Sequence, residues 1–382
     1  MTENPKIVVI GGGYAGVMAA NRLAPHADVT LVNPRPQFVE RIRLHQLAAG
    51  NDDAVAEFGT LLHRGVDLVV DTVCAIDVAG RRVELASGQT LGYDYLVYAV
   101  GSTGTVAAAV PGSEFVYPVS EFEQAQRLRT KLDDTAETAP IVVVGAGLTG
   151  IEAASEFAEA GRPVTLVADA IAPSLSAPGR RSVTKQLRKL GVTMIEAPVV
   201  EVTAESVVLA DGRRIPSAVT VWTAGFGVPG LAAASGLTTD ELGRVVTDET
   251  LTSVDDDRIV AAGDAATPSG RPYRMSCQAS MPMGAHAAET VLARIAGTAP
   301  ARVTIPMSAQ CISLGRRAGT LQIQRADDTP LPLYVGGRAG AFIKEQVCRW
   351  TVKWMGGEAE RPGSYALRRG PERSVTATVP VS

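Results

Sequence analysis

Glycine clusters are the residues whose types and spacing most directly indicate chemistry in this chain. The first cluster, GGGYAG at residues 11–16, follows the apolar run IVVI. A GxGxxG spacing between a strand and a helix permits a tight turn, close approach of the backbone to a pyrophosphate, and close packing of the helix on the strand. The N-terminus of that helix also offers free N–H groups to phosphate. We therefore predict a dinucleotide site at Gly11, Gly13, Tyr14, Ala15 and Gly16.

A second cluster repeats the pattern. GAGLTG at residues 145–150 follows the run IVVV, and the strand-like segment RPVTLVADA comes after the intervening helix. This spacing predicts a second dinucleotide site at Gly145, Gly147, Leu148 and Gly150. Two such units suggest two dinucleotides, and a flavin nucleotide with a nicotinamide nucleotide would make the chain an electron-transfer flavoenzyme.

Polar residues at strand ends are the next candidates. Asn33 ends the second strand of the first unit, where an acidic residue usually accepts a hydrogen bond from a ribose hydroxyl. An asparagine also accepts such a bond, though more weakly than a carboxylate. The segment DRIVAAGDAA carries Gly263 and Asp264 at the tip of another strand, where a carboxylate is well placed to hold a polyol such as ribityl. The alternative for Asp264 is a turn or a helix cap.

Bulk composition excludes several function classes. The net charge of the 382 residues is −4, whereas non-specific nucleic-acid binding needs a positive field. The four histidines show no metal-ligand spacing, so we predict no metal site. The four cysteines form no CxxC pair, which favours reduced thiols in a reducing compartment.

The sequence also predicts a cytoplasmic location. The longest charge-free segment, residues 215–239, contains Pro216, Pro229 and four glycines, which disfavours a membrane span. We recognise no signal peptide before the first strand. The segment AFIKEQVCRWTVKWM at residues 341–355 carries aromatic residues beside lysine and arginine. It could lie on an anionic membrane surface, but packing on the protein or on a dimer mate explains the same spacing and is favoured. We expect weak peripheral membrane contact at most, and a homodimer is possible.

Taken in order, these motifs resemble the two-dinucleotide-binding-domain flavoproteins, in particular type II NADH dehydrogenases (NADH:quinone oxidoreductases) and apoptosis-inducing-factor-like reductases. The resemblance covers roughly residues 5–355, through GGGYAG, YDYLVYAVGS, GAGLTGIE, TVWTAGF, VAAGDAA and GGRAGAFIKE. It implies an α/β fold with two Rossmann-type three-layer sandwich domains, the NAD(P)H domain being inserted in the FAD domain. The implied ranges are 1–110 and 243–310 for FAD, 111–242 for NAD(P)H, and 311–382 for a C-terminal region.

The resemblance also assigns site residues. The first glycine cluster and Asp264 would hold FAD, and the family's chain passes along the FAD at Arg41, Val73, Ala99 and Gly101. The second cluster would hold NADH or NADPH, with Ala224 and Gly225 alongside and Glu152 near the nicotinamide. Two residues would act in catalysis, Glu152 and Gln278. An acceptor face beside the flavin would be lined by Cys277, Met281, Pro282 and Met283.

Two departures from the family pattern leave alternatives open. The acidic position for NADH holds Ala168, so either Asp169 binds the ribose diol, or Arg180 and Arg181 pair with the 2′-phosphate of NADPH. The quinone-site pattern AQxAxQQG is replaced by CQASMPMG, which makes a soluble quinone, an aromatic metabolite or a small protein plausible as acceptor. Cys277 has no partner cysteine at redox spacing, so thiol catalysis is not favoured.

The predicted function is therefore an FAD-dependent NAD(P)H oxidoreductase. It would pass a hydride from NAD(P)H to FAD and then electrons to a small quinone-like acceptor. One alternative is a flavin-dependent reductase or tailoring oxidoreductase of a soluble metabolite. Another is a non-enzymatic flavin redox sensor or interaction protein.

Overall fold

A computed structural model describes residues 4–105 and 110–372 of the chain. Residues 1–3 and 106–109 of the predicted FAD range, and residues 373–382 of the predicted C-terminal region, lie outside the described residues.

The first segment of the chain is mostly strands. Its elements are β1 (Lys6–Ile10), α1 (Tyr14–Leu23), β2 (Asp28–Asn33), β3 (Gln37–Val39), α2 (Leu44–Ala48), β4 (Val55–Glu57), α3 (Phe58–Leu61), β5 (Val66–Val70), β6 (Val73–Asp77), β7 (Arg82–Leu85), β8 (Thr90–Gly92), β9 (Tyr95–Tyr98) and β10 (Thr103–Gly104).

The middle segment repeats the strand–helix alternation. Its elements are β11 (Val116–Pro118), α4 (Phe122–Asp133), β12 (Ile141–Val144), α5 (Leu148–Glu159), β13 (Val164–Ala168), α6 (Ala177–Lys189), β14 (Thr193–Glu196), β15 (Val199–Val202), β16 (Ser206–Leu209), β17 (Arg214–Pro216), β18 (Val219–Trp222), β19 (Phe226–Gly227) and α7 (Leu231–Ala234).

The last segment contains the two longest helices described. Its elements are β20 (Val245–Thr247), β21 (Ile259–Ala261), a 3₁₀ turn (Gly263–Ala265), β22 (Ala266–Pro268), α8 (Cys277–Ile295), β23 (Ala309–Ser313), β24 (Gly319–Gln324), β25 (Pro330–Gly336) and α9 (Gly337–Glu360).

The first five-stranded sheet has the order β21-β9-β1-β2-β5, and all its strand pairs are parallel. The apolar run in β1 is buried throughout because the sheet is covered on both faces. Ile10 lies opposite both Val32 and Tyr98 in the register. The loops after β1, β2 and β9 therefore meet at one edge of the sheet, and β21 brings the Gly263–Ala265 turn to the same edge.

The second five-stranded sheet has the order β11-β18-β12-β13-β14 and is also parallel. Val144, at the end of β12, lies opposite Val167 and Trp222. This register gathers the second glycine cluster, the end of β13 and the loop after β18 at one edge. The two parallel Rossmann-type sheets confirm the predicted α/β fold class. The domain boundaries drawn from the sequence remain predictions.

The C-terminal region adds a three-stranded antiparallel sheet, β23-β24-β25, followed by α9. Helix α9 is longer than the amphipathic segment that the sequence indicated, and it packs on this sheet and on α1. Among the described residues, no helix has the length and apolar character needed to cross a membrane.

Candidate active site

The first glycine loop has the shape of a pyrophosphate cradle. Gly11 has φ +101°, and a Cβ there would overlap the carbonyl oxygen of Ala99. A Cβ on Gly16 would overlap the carbonyl oxygen of Gly11, so α1 begins in close contact with β1. In contrast, a Cβ on Gly13 would meet no described atom within 4 Å. No described side chain caps α1, so its N-terminal N–H groups fit a phosphate ligand.

The second loop repeats this geometry at the other sheet. Gly145 has φ +103°, a Cβ on Gly150 would overlap the Gly145 carbonyl oxygen, and Gly147 faces open space among the described residues. Helix α5 likewise has no described side-chain cap, whereas Ser276 caps α8 with its own hydroxyl. Both dinucleotide loops thus keep their helix N–H groups free for a ligand.

The Asn33 side chain is hydrogen-bonded to the first glycine loop and to the segment after β2. Its Oδ1 accepts a hydrogen bond of 2.9 Å from the Gly12 amide, and its Nδ2 donates to the Arg35 carbonyl at 2.7 Å. The side chain is 8% exposed. Asn33 therefore fixes the shape of the loop, a role that the sequence did not indicate, and its contact with a ribose stays a prediction.

Asp264 lies at the edge where the first loop meets β21 and α8. One carboxylate oxygen accepts from the Ser102 hydroxyl at 2.7 Å, and the other accepts from the Ser280 hydroxyl at 3.2 Å. A Cβ on the neighbouring Gly263 would lie 3.1 Å from the Ala15 Cβ, so this turn sits against the start of α1. Sequence reasoning missed both serines, because nothing local to either one marks it as a partner of Asp264.

Arg41 links the loop after β9 to the loop after β11. Its guanidinium donates to the carbonyl oxygen of Ser102 and, at 2.8 Å, to that of Ser120. Gly101 has φ +71°, and a Cβ there would lie 3.7 Å from the Arg41 guanidinium. Val73 is buried at the start of β6, in the same core as β1 and α1.

The loop after β18 carries Ala224 and Gly225, the residues predicted to lie alongside the nicotinamide coenzyme. The Trp222 indole N–H donates to the Ala224 carbonyl at 2.7 Å, and Gly225 has φ +85°. Asp169 is exposed just beyond β13. A further carboxylate, Glu196, lies opposite Ala168 and accepts from the Ile171 amide at 3.1 Å. Glu196 was not identified from the sequence, because its closeness depends on the pairing of β13 with β14.

Glu152 forms a buried ionic cluster rather than a solvent-facing carboxylate. Its Oε1 lies 2.9 Å from Lys344 Nζ and accepts from the Ser313 amide at 3.0 Å. Its Oε2 lies 3.7 Å from His45 Nδ1. The side chains of Glu152, Lys344 and His45 are 8%, 12% and 2% exposed. The pair joins α5 of the second unit to α9 of the C-terminal region.

The charge states of this cluster follow from burial and proximity. Burial opposes the charged form of Glu152, but Lys344, His45 and the Ser313 amide outweigh it and lower the pKa of Glu152. Burial likewise opposes the charge on Lys344, and Glu152 outweighs it and raises the pKa of Lys344. Burial lowers the pKa of His45 to about 4, against the opposing effect of Glu152. At neutral pH the cluster is an ion pair beside a neutral imidazole.

The first turns of α8 differ from the sequence expectation. Met281 and Met283 are 2% and 1% exposed and belong to the main core, and Pro282 is buried between them. Their side chains are packed inside the protein, which does not support their predicted place on an open acceptor face. Which side of α8 faces inward depends on the packing of this helix against α1.

Cys277 and Gln278 are the partly exposed residues at this end of α8. Burial raises the pKa of the Cys277 thiol to about 12, which Lys344 only partly opposes, so the thiol is protonated at neutral pH. With its amide suitably oriented, Gln278 donates to the Ala309 carbonyl at 2.9 Å and accepts from the Ser308 amide at 3.2 Å. No group of three or more His, Cys, Asp or Glu in the described chain is arranged to hold a metal ion.

A cleft of about 600 Å³ lies beside the buried ion pair. We call it the basic cleft, and its walls include Gln46, Ser313, Arg316, Arg317, Arg338, Ala341, Phe342, Lys344 and Glu345. None of the predicted site residues lines it. The signal that could have found it is the pair of basic motifs GRRAG and GGRAGAFIKE, which the fold brings together.

Several known proteins are similar to this chain in sequence and in fold. The family described as pyridine nucleotide-disulphide oxidoreductase matches residues 5–290. The chain is 32% identical over 347 residues to an NADH dehydrogenase-like protein of Mycobacterium tuberculosis, covering 81% of this chain and 86% of that protein. It is 25% identical over 400 residues to a type II NADH:quinone oxidoreductase of Staphylococcus haemolyticus, covering 93% and 97%.

A solved structure of NDH2 from Plasmodium falciparum in complex with NADH has the same fold. Its TM-score is 0.77 at 14% identity, with 94% of this chain and 99% of that chain covered. Together, the family match and the named relatives confirm the predicted family resemblance, the oxidoreductase class, and FAD with NADH or NADPH as cofactors. The chain belongs to the pyridine nucleotide-disulphide oxidoreductase family.

Proposed function

We propose that the protein oxidises NADH and reduces a quinone-type acceptor. The observation that carries this proposal is the buried Glu152–Lys344 ion pair, which joins the second dinucleotide unit to the wall of a cleft large enough for a ring-shaped acceptor. The two uncapped glycine-loop helices support the binding of two dinucleotides. Relatives named as NADH dehydrogenase-like and NADH:quinone oxidoreductase are consistent with it.

The residues of the first sheet edge fit FAD. The Gly11–Gly16 loop and the N-terminus of α1 would bind its pyrophosphate, and the Asp264 carboxylate has acceptor capacity left for a hydroxyl beyond its two serine bonds. Arg41 would hold the neighbouring loop in place through its two carbonyl contacts. When bound, FAD supplies the means to accept a hydride and pass on electrons.

The residues of the second sheet edge fit NADH better than NADPH. Asp169 and Glu196 place two carboxylates near the end of β13, where the coenzyme's ribose diol would bind. Carboxylates accept hydrogen bonds from a diol and repel a 2′-phosphate. Arg180 and Arg181, the candidates for pairing with that phosphate, are exposed on α6.

The overall reaction also needs a proton. NADH oxidation releases a hydride, which carries two electrons and one proton, and reduction of a quinone to a quinol takes up two electrons and two protons. The second proton comes from solvent. Lys344 holds a proton at Nζ on the cleft wall, and the ionised Glu152 keeps it there. This pair is suited to orient an acceptor carbonyl and stabilise negative charge that develops on its oxygen.

Anaerobic titration of the purified, FAD-loaded protein with NADH and with NADPH tests the first half of the proposal. We expect NADH to bleach the flavin absorbance at a much lower concentration than NADPH, and 1,4-naphthoquinone then to restore it. Absence of bleaching by either coenzyme would contradict the dehydrogenase function. Bleaching without reoxidation by any quinone would favour the redox-sensor alternative.

A further inference from the structure

The basic cleft has a charge that the proposed function does not require. Four cationic side chains line it, against one carboxylate, Glu345. Lys344 is neutralised by Glu152, and Arg316 lies 3.4 Å from Glu345 and 3.6 Å from Glu156. Glu345 is also shared with Arg43 at 3.1 Å and Arg349 at 3.0 Å. Glu345, the one carboxylate on the cleft wall, is therefore already paired with three arginines.

Two arginines of the cleft are left with their charge uncompensated. Within the part of the chain that the structure describes, no carboxylate lies within 4.0 Å of the guanidinium of Arg317 or Arg338. Both residues are exposed, one on the turn between β23 and β24 and the other in the first turn of α9. Guanidinium groups pair strongly with carboxylate, sulfonate and phosphate oxygens.

The same cleft also has an apolar wall. Ala341 and Phe342 lie between Arg338 and Lys344 on α9, and the Phe342 ring is 65% exposed. At the other extreme, Gln46 on the cleft wall is 2% exposed. The cleft therefore runs from an exposed aromatic and cationic rim to a buried polar end at Gln46 and Lys344. Its chemistry matches a planar ring that carries an acidic substituent.

We propose that the basic cleft binds the electron acceptor and that this acceptor is an anionic aromatic molecule. Its acidic group pairs with Arg317 and Arg338, and its ring lies along Phe342 with its reducible oxygen towards Lys344. The acidic group is unchanged in the reaction, and the ring takes up the two electrons and two protons already accounted for. This inference rests on the proposed function and specifies the substrate class of that reaction.

A matched pair of acceptors tests it. We would measure kcat and KM at saturating NADH for 1,4-naphthoquinone and for 1,4-naphthoquinone-2-sulfonate, using the FAD-loaded wild type, Arg317→Gln, Arg338→Gln and Arg325→Gln. Arg325 is an exposed arginine beyond the end of β24 that does not line the cleft, so it controls for overall charge. Flavin bleaching by NADH in each variant reports folding and the reductive step.

We expect the ratio of kcat/KM for the sulfonate to kcat/KM for the neutral quinone to fall about tenfold in Arg317→Gln and in Arg338→Gln. The reason is that each variant loses one charge-assisted hydrogen bond to the sulfonate. This fall should come mainly from a higher KM for the sulfonate. Arg325→Gln should keep the wild-type ratio, and added salt should reduce the ratio of the wild type.

Equilibrium dialysis of the sulfonate with the oxidised protein gives a second readout, free of turnover. An equal ratio in all four proteins, or no saturable binding in dialysis, overturns the anionic-acceptor inference. If the neutral quinone is still reduced in that case, the proposed function stands by itself. If the wild type reduces neither quinone, both proposals fail.

Discussion

At the scale of single residues, the Glu152–Lys344 pair is the most consequential contact. Each charge is buried and is tolerated because the other lies 2.9 Å away. Removing one partner leaves an uncompensated buried charge, which typically costs about 3–5 kcal/mol. Replacing both with neutral groups removes that penalty.

We therefore expect Lys344→Met and Glu152→Gln each to lower the free energy of unfolding by about 3 kcal/mol, and the double variant to recover much of the loss. Urea unfolding of the four proteins gives the coupling energy directly. Additive losses in the double variant would mean that the two charges do not depend on each other.

His45 sets a pH dependence of stability. Its pKa is about 4 in the folded protein and about 6.5 when unperturbed, so the unfolded chain binds more protons between these values. Stability is therefore lost as the pH falls through this window, by about 2 kcal/mol at pH 5.

His45→Gln should remove this part of the loss between pH 7 and pH 5, as measured by urea unfolding at each pH. The matched control is His26→Gln, because His26 is exposed. A pH profile for His45→Gln that parallels the His26→Gln profile would show that His45 is not the titrating group.

At the scale of elements, the glycine loops separate structural glycines from ligand-facing ones. Gly147 has φ −69°, and a Cβ there would meet no atom of the described residues within 4 Å, so alanine fits its backbone. A methyl group there would stand where the pyrophosphate of the proposed coenzyme would approach the loop. At Gly150 the same methyl group would collide with the Gly145 carbonyl oxygen.

Gly147→Ala should keep the FAD content and the melting temperature of the wild type while raising the KM for NADH roughly tenfold to a hundredfold. Gly150→Ala should instead lower the melting temperature, because the strand and helix must move apart. Melting curves and NADH titrations distinguish the two. Unchanged NADH binding by Gly147→Ala would argue against the second loop as the NADH site.

At the scale of the whole molecule, α9 has two unlike faces. Cys348, Thr351 and Met355 are buried against the protein, whereas Phe342, Trp350 and Trp354 are 65%, 44% and 44% exposed. One face of α9 therefore packs on the protein, as the sequence favoured, and the other face presents exposed aromatic side chains. Arg349 and Lys353 are exposed beside this surface.

We expect weak binding to vesicles of phosphatidylglycerol and little to phosphatidylcholine, since each cation near an anionic surface contributes about 1 kcal/mol. Vesicle sedimentation measures the bound fraction. Trp354→Ser combined with Lys353→Ser should abolish the binding, and high salt should weaken it. Equal binding to both lipids would contradict an electrostatic contribution.

The sequence predicted the parts of the molecule that are determined locally. The two glycine loops, their strands and the turn at Asp264 follow from short motifs, because the required backbone conformations depend on residues a few positions apart. The partners of Glu152 could not be predicted, because His45, Ser313 and Lys344 come from three distant segments. Likewise, the inward orientation of Met281 and Met283 depends on how α8 packs, which no local motif specifies.

Arg22 joins the first helix to the last described helix and the segment after it. It lies near the end of α1, and its guanidinium contacts Glu358 at 2.7 Å, Glu289 at 3.2 Å and the Tyr365 carbonyl at 2.7 Å. The helix that begins at the first glycine loop thus ends in contacts that hold the segment around Glu358 and Tyr365. A ligand that stabilises α1 therefore also stabilises the segment that Arg22 contacts at Glu358 and Tyr365. In a growing cell, a molecule that has not yet acquired its flavin would hold the segment around Tyr365 less firmly, and this difference would mark it for proteolytic quality control.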